Sequence, residues 1–231
     1  MGIGNLPHDL IREAVYANFQ PGMDVQLVDT AHASNNERIL GDAIASFDNE
    51  QRKNIDDGST ANALHRRTRG GGGIVSAEEL PPIHVVTKVW YTHLGYERTK
   101  LSVHDSLKEL QSAHSSSASN TKPRQIYVHM LLHWPRCNDD IPWMHCEEEE
   151  LGLPQSVKEL GTAPHLDKEN AWKDSWKALE DLYIEHAPKR EGKKSVNEPV
   201  IASIGVSNFE LEDMKALKDL ARIPPHIYQG A

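Results

Sequence analysis

Along this chain, short apolar and β-branched runs alternate with longer stretches in which apolar residues recur at helical spacing. Leu10, Ile11, Ala14 and Val15 predict a helix within residues 6–19. After the Pro21-Gly22 turn, Val25 to Val28 reads as a strand ending at Asp29, and Asn36-Glu37 open a helix through Ile39, Leu40, Ala43 and Ile44. Ile83 to Val86 predicts a second strand, feeding Lys88, with a helix over about 98–110; Ile126 to Leu132 predicts a third strand, feeding His133. Trp172, Trp176, Leu179, Leu182 and Tyr183 mark an amphipathic helix. Val200 to Val206 then predicts a strand ending at Ser207, Leu211 to Leu220 a helix, and Ile227-Tyr228 a last strand ending at Gln229. Gly2-Ile3-Gly4 is too short to assign.

Strands alternating with helices in this order imply parallel pairing, which puts the C-terminal strand ends on one face. Asp29, Lys88 and His133 each follow a strand directly, and the C-terminal face is where a (β/α)8 barrel keeps its chemistry. The expected fold is therefore α/β, a TIM-type barrel, incomplete, with about six strand-helix units. Residues 1–231 read as one domain interrupted by flexible insertions at 49–79, 136–170 and 187–198, the second rich in acid at Glu147 to Glu150. Ser112 to Lys122 reads as a serine-rich linker.

The 231 residues carry a formal charge of −9, which argues against a nucleic-acid partner, since phosphate binding needs clustered Lys and Arg. No apolar run approaches the roughly 20 residues of a membrane span, and no signal-peptide layout opens the chain. A cytoplasmic protein is the expectation, with no membrane association. The two cysteines, Cys137 and Cys146, share one loop-like stretch and read as reduced thiols. With His145 they offer zinc-type ligands, but the spacing matches no compact zinc knuckle, and no metal site is expected. Arg66-Arg67-Thr68-Arg69 and the following glycine run read as a solubilising insertion; without Gly-Lys-Ser/Thr the glycines are not a phosphate loop.

The runs Asp29-Thr30-Ala31 with Asn36-Glu37, Thr87-Lys88-Val89-Trp90, Tyr127 to Pro135, Trp176 to Leu182, Ile204 to Phe209 and Pro225 to Gln229 resemble the aldo-keto reductase family, in the family's order. That resemblance implies a TIM barrel in which NADPH (NADP) serves to reduce a small aldehyde or ketone to an alcohol. Carried over by motif, Asp29, Lys88 and His133 take three places of the family's catalytic tetrad. Ser207, Asn208 and Gln229 take the contacts to the nicotinamide carboxamide, and Trp90 and Trp134 line the substrate.

Two departures accompany the resemblance. Where the family has its tyrosine acid, this chain has Ser34, whose hydroxyl is shorter and far less acidic than a phenol of pKa about 10. His133, or less directly His32, is the expected substitute acid. The family barrel also continues for two strand-helix units beyond the position of Gln229, and those units hold the cofactor's pyrophosphate and 2′-phosphate. The alternative reading is thus a catalytically silent nucleotide-binding or regulatory protein, or a non-functional fragment. Taken singly, Asp29 also suits a turn cap, and Ser207-Asn208 an N-cap for the helix near Leu211.

Overall fold

The computed structural model describes residues 1–19, 26–56, 82–111, 124–186 and 198–230. Five strands form one all-parallel sheet in chain order: β1 (Gln26–Asp29), β2 (Ile83–Val89), β3 (Ile126–Leu132), β4 (Val200–Ser207) and β5 (Ile227–Gln229). A parallel bridge between Gly2 and Asp29 adds the N-terminal stub to the free side of β1, so six strand positions are marked. The helices are α1 (His8–Asn18), α2 (Glu37–Asp56), α3 (Tyr96–Gln111), α4 (Cys146–Gly152), α5 (Gln155–Lys158), α6 (Ala171–His186) and α7 (Leu211–Leu220).

The sheet curls. β1 and β5 are the first and last of its five strands, four inter-strand spacings apart, or about 19 Å if flat. Yet Gln229 Nε2 at the end of β5 donates to Asp29 Oδ2 at the end of β1 over 2.8 Å, across the mouth. Two glycines permit the close approaches that shape this half-barrel. A β-carbon at Gly205 would lie 2.3 Å from the Ile227 carbonyl oxygen, between β4 and β5, and one at Gly41 would lie 2.9 Å from that of Glu109, between α2 and α3.

Alternation along the strands decides which side chains enter the core between sheet and helices. Val28, Val85, Val128, Met130, Ile201 and Ile204 are fully buried beneath the helices, as are Trp172 and Trp176 on α6. Trp172 meets Phe209 edge to face at 5.3 Å, which seats α6 beside the turn after β4. α2 begins where Thr30 Oγ1 donates to Asn36 and Asn36 Nδ2 donates to the Ile3 carbonyl, while buried Glu37 accepts from Thr87 and Ser106. The Asn36-Glu37 pair thus ties β1, β2, α2 and α3 together. Burial raises the Glu37 carboxyl above its ordinary range, and the two hydroxyl donors work against that rise.

Two sequence expectations need correcting. Residues 136–170, read as a flexible insertion, hold α4, α5 and a buried ion pair. Arg98 on α3 is 1% exposed and donates to both oxygens of Glu150, at 2.8 and 2.9 Å, and to the Thr92 carbonyl at 3.1 Å. Cys137 and Cys146, read as reduced thiols, are joined in a disulfide nine residues apart. α2 also runs to Asp56, into the region expected as the first insertion; the arginine-glycine run, the serine-rich linker and 187–197 lie outside the described residues.

Reduction by dithiothreitol is expected to lower stability by about 2 kcal/mol, as the small closed loop implies. Thermal unfolding with and without reductant measures it; an unchanged melting temperature would mean that the segment is held by Arg98–Glu150 instead.

Candidate active site

Asp29, Lys88 and His133 converge at the C-terminal mouth of the curled sheet. Lys88 Nζ is paired with Asp29 Oδ1 and donates to the Thr30 carbonyl at 2.8 Å, with its side chain only 6% exposed. Asp29 pairs in register with Val86, and Lys88, two residues further along β2 on the same face, reaches the carboxylate with its long side chain. His133 continues β3, its backbone N–H bonded to the Val89 carbonyl at 3.0 Å. Burial, and secondly the Lys88 charge, push the His133 imidazole down to about 4, against the opposing pull of Asp29. A neutral ring at neutral pH is a hydrogen-bond donor or acceptor, not a reserve of protons.

Ser34 does not reach the pair. It closes a single 3-10 turn, His32–Ser34, and its Oγ stands 3.2 Å from where a β-carbon on Gly4 would sit. Among the described residues its side chain makes no hydrogen bond. His32 packs its ring against His93 at 4.8 Å.

Ser207 and Asn208 lie at the end of β4. They are not the cap of α7: Glu210 is its N-cap, in a reciprocal capping box with Asp213. Asn208 adopts φ 58°, a left-handed conformation that asparagine tolerates better than most residues. Its amide donates to the His133 carbonyl and to Ser207 Oγ, both at 3.0 Å, which links this turn to β3. Gln229, whose Nε2 is engaged by Asp29, keeps a buried Oε1 with no partner among the described residues.

Trp90 meets His133 edge-on at 5.0 Å and stacks at 6.2 Å on Trp143, which in turn meets Trp134 at 5.6 Å. Glu149 of α4 fixes this wall, accepting from Trp90 Nε1 at 2.8 Å and from the Tyr91 hydroxyl. Burial first, then the Glu149 bond, raise the Tyr91 phenol above its ordinary value, and its hydroxyl is taken up by Glu149. Trp143 and Glu149 were not singled out in the sequence. The acidic run there looks like a solvated surface, and only the fold brings it 59 residues back to Trp90.

His93 is likewise pushed down to about 4, by burial first and then by His32 and Arg98. Both folded values lie below the unfolded imidazole's, so the unfolded chain binds more protons as pH falls. Stability is expected to be full above about 6.5 and to decline as pH falls toward 4. Melting temperature against pH should show that decline, and His93→Gln should flatten part of it. A profile level across this window would contradict the assigned burial.

The geometry thus defines a class: a parallel half-barrel of the (β/α)8 type, with a buried Lys–Asp pair, a neutral histidine and an aromatic wall at its mouth. No family model matches the sequence. Two relatives from Bacillus subtilis (strain 168) do align. YtbE, described as an uncharacterized oxidoreductase, is 27% identical over 155 residues, covering 67% of this chain and 34% of its own length. Glyoxal reductase is 27% identical over 172 residues, covering 72% and 41% respectively. This chain therefore spans well under half the length of the curated relatives it matches.

Solved structures agree on the fold. The aldose reductase of Giardia lamblia superposes with a TM-score of 0.55 at 20% identity, over 100% of this chain and 55% of that one. That of Schistosoma japonicum gives 0.54 at 21%, over 100% and 55%. The Bombyx mori aldo-keto reductase AKR2E4, solved in complex with NADP, gives 0.53 at 21%, over 99% and 52%. These superpositions show the fold: the chain forms an incomplete version of the (β/α)8 barrel seen in these reductases. Among the described residues, no helix is long and apolar enough to cross a membrane.

Proposed function

We propose that this chain carries the core of an NADP(H)-dependent site for reducing a small aldehyde or ketone to an alcohol. The observation that carries the reading is the buried Lys88, held by Asp29 and the Thr30 carbonyl beside a neutral His133. Lys88 would stabilise the negative charge developing on the carbonyl oxygen, and Asp29 would hold Lys88 in place. His133 would orient that oxygen by a hydrogen bond. Trp90 and Trp134, with Trp143, would wall the substrate. Ser207, Asn208 and Gln229 would hold the carboxamide of the nicotinamide; the unpartnered Gln229 Oε1 is an acceptor suited to an amide N–H. When bound, the reduced cofactor supplies the hydride. A cytoplasmic location goes with this reading, although the disulfide removes reduced thiols as support for it.

Ser34 favours a second reading, a nucleotide-binding protein without turnover, because its hydroxyl rests against Gly4 and, among the described residues, no positioned acid replaces it. Titration of the purified chain with NADPH, followed by nicotinamide fluorescence and melting temperature and then by addition of an aromatic aldehyde, separates the two. The expected result is saturable binding with slow turnover that rises in Ser34→Tyr, since a positioned general acid contributes about 10²- to 10⁴-fold. Binding without turnover in either form would support the silent reading. No binding by the folded chain would overturn both.

A further inference from the structure

The inner face of the sheet carries chemistry twice. Four residues before Lys88, His133 and Ser207 on the same three strands stand His84, His129 and Ser203, and a spacing of four returns a strand to the same face. This lower tier lies about 13 Å beneath the mouth, at roughly 3.3 Å per residue. In a closed barrel, layers at that depth are packed with branched apolar side chains. Here they hold a continuous polar chain. Ser203 Oγ lies 2.7 Å from His129 Nδ1, and His129 Nε2 lies 2.9 Å from His84 Nδ1.

The order of atoms matters more than the mere proximity. With the His129 proton on Nε2, that N–H donates to His84 Nδ1, and Nδ1 is left as an acceptor for the Ser203 hydroxyl. A nucleophile bonded to a base, whose far side is held by a third group, is the arrangement that activates a serine. The local backbone contributes. The β3–β4 register slips between Val128 and His129, so that His129 pairs with Ser203 and Ala202 has no partner. Such an irregularity re-aims the side chain beside it. The two rings lie nearly in one plane, 15° apart with centroids 5.2 Å apart, as an in-plane N–H···N bond requires, and that bond limits rotation of His129 away from Ser203. Burial lowers both imidazoles, keeping them neutral at neutral pH. Ser203 itself is 7% exposed, and the approach to it is over the partly exposed His84, Tyr127 and His129, with the Tyr127 ring 5.4 Å from His84 offering an apolar surface.

We propose that Ser203, His129 and His84 form a second, hydrolytic site on this inner face, acting on short acyl esters. Ser203 Oγ attacks the ester carbonyl while His129 Nδ1 takes its proton. The bond to the leaving alcohol then breaks, and His129 returns the proton to that oxygen. Water, deprotonated by the same nitrogen, attacks the acyl-serine and releases the acid, and the proton returns to Ser203. His84 is a positioning residue: it accepts from His129 and holds the tautomer. No nicotinamide takes part, so the site stands or falls separately from carbonyl reduction.

The test uses the full chain with p-nitrophenyl acetate and with a fluorophosphonate, the labelled residue being located by mass spectrometry. The expected result is saturable p-nitrophenol release with covalent label on Ser203. Ser203→Ala should lower kcat/KM at least about 100-fold and abolish the label, with the melting temperature unchanged. His84→Asn, which keeps a hydrogen-bonding group, should retain more turnover than His84→Phe, a difference that loss of packing would not produce. Ser203→Cys guards against a folding artefact, since a thiol at position 203 should still be acylated by p-nitrophenyl acetate. Label at another residue, equal rates in wild type and Ser203→Ala, or a folded wild-type chain that neither turns over nor labels would each overturn the proposal.

Discussion

Arg98→Ala is expected to destabilise the chain by about 3–5 kcal/mol, the usual cost of removing one partner from a buried ion pair. The guanidinium is 1% exposed, spans from α3 to Glu150 of α4, and also bonds the Thr92 carbonyl, so its loss leaves a buried carboxylate and a buried carbonyl unsatisfied. Much of that cost is the stranded Glu150 charge, not the worth of the pair. Arg98→Met combined with Glu150→Leu should therefore recover a large part of it, because a well-packed apolar pair of similar volume is often no less stable than an ion pair. Urea unfolding of the three proteins measures the difference. A single mutant within 1 kcal/mol of wild type would mean that α4 and α5 are docked by other contacts. The effect should extend to the mouth, since Glu149, next to Glu150, holds Trp90 and Tyr91.

Lys88→Met is the substitution expected to do most to the proposed reaction. It keeps the length of the side chain and removes the charge facing the carbonyl oxygen, so kcat/KM for an aldehyde should fall by about 10²- to 10⁴-fold. NADPH binding, followed by fluorescence, should change only a few-fold, because the residues proposed to hold the carboxamide are on β4 and β5. Turnover within tenfold of wild type would make the Lys88–Asp29 pair a structural tie between β1 and β2. Asp29 is the less buried partner, with a quarter of its side chain exposed, and it keeps the Gln229 bond when Lys88 is lost, so folding should survive the change.

The strands show how far local pattern carries. Ile126–Leu132 and Leu211–Leu220 begin and end where the apolar spacing says, because each buries one face against neighbours that any parallel α/β arrangement supplies. Asp29, Lys88 and His133 could be brought to one mouth by the strand-end rule alone. The segment 136–170 could not be read in that way. Glu147 to Glu150 resemble a solvated run, yet Glu149 and Glu150 are acceptors for Trp90, Tyr91 and Arg98, all more than 50 residues earlier. Nothing local marks which of four adjacent glutamates will be buried. The same holds for the disulfide, since whether two thiols meet depends on the path of the chain between them.

The lower tier lies between these cases. His84, His129 and Ser203 each precede a candidate mouth residue by four, and that period was present in the sequence; what it lacked was the register that brings three strands' worth of it into line. Sequence by itself determined the parallel α/β order, the strand-end placement of Asp29, Lys88 and His133, and the absence of a phenol at position 34, because these follow from period and residue type. Tertiary structure alone decided that the sheet curls until Gln229 reaches Asp29, that His133 is held neutral, and that an acidic loop becomes a buttress of the mouth. Each of these depends on distances between residues far apart in the chain, which local pattern does not carry.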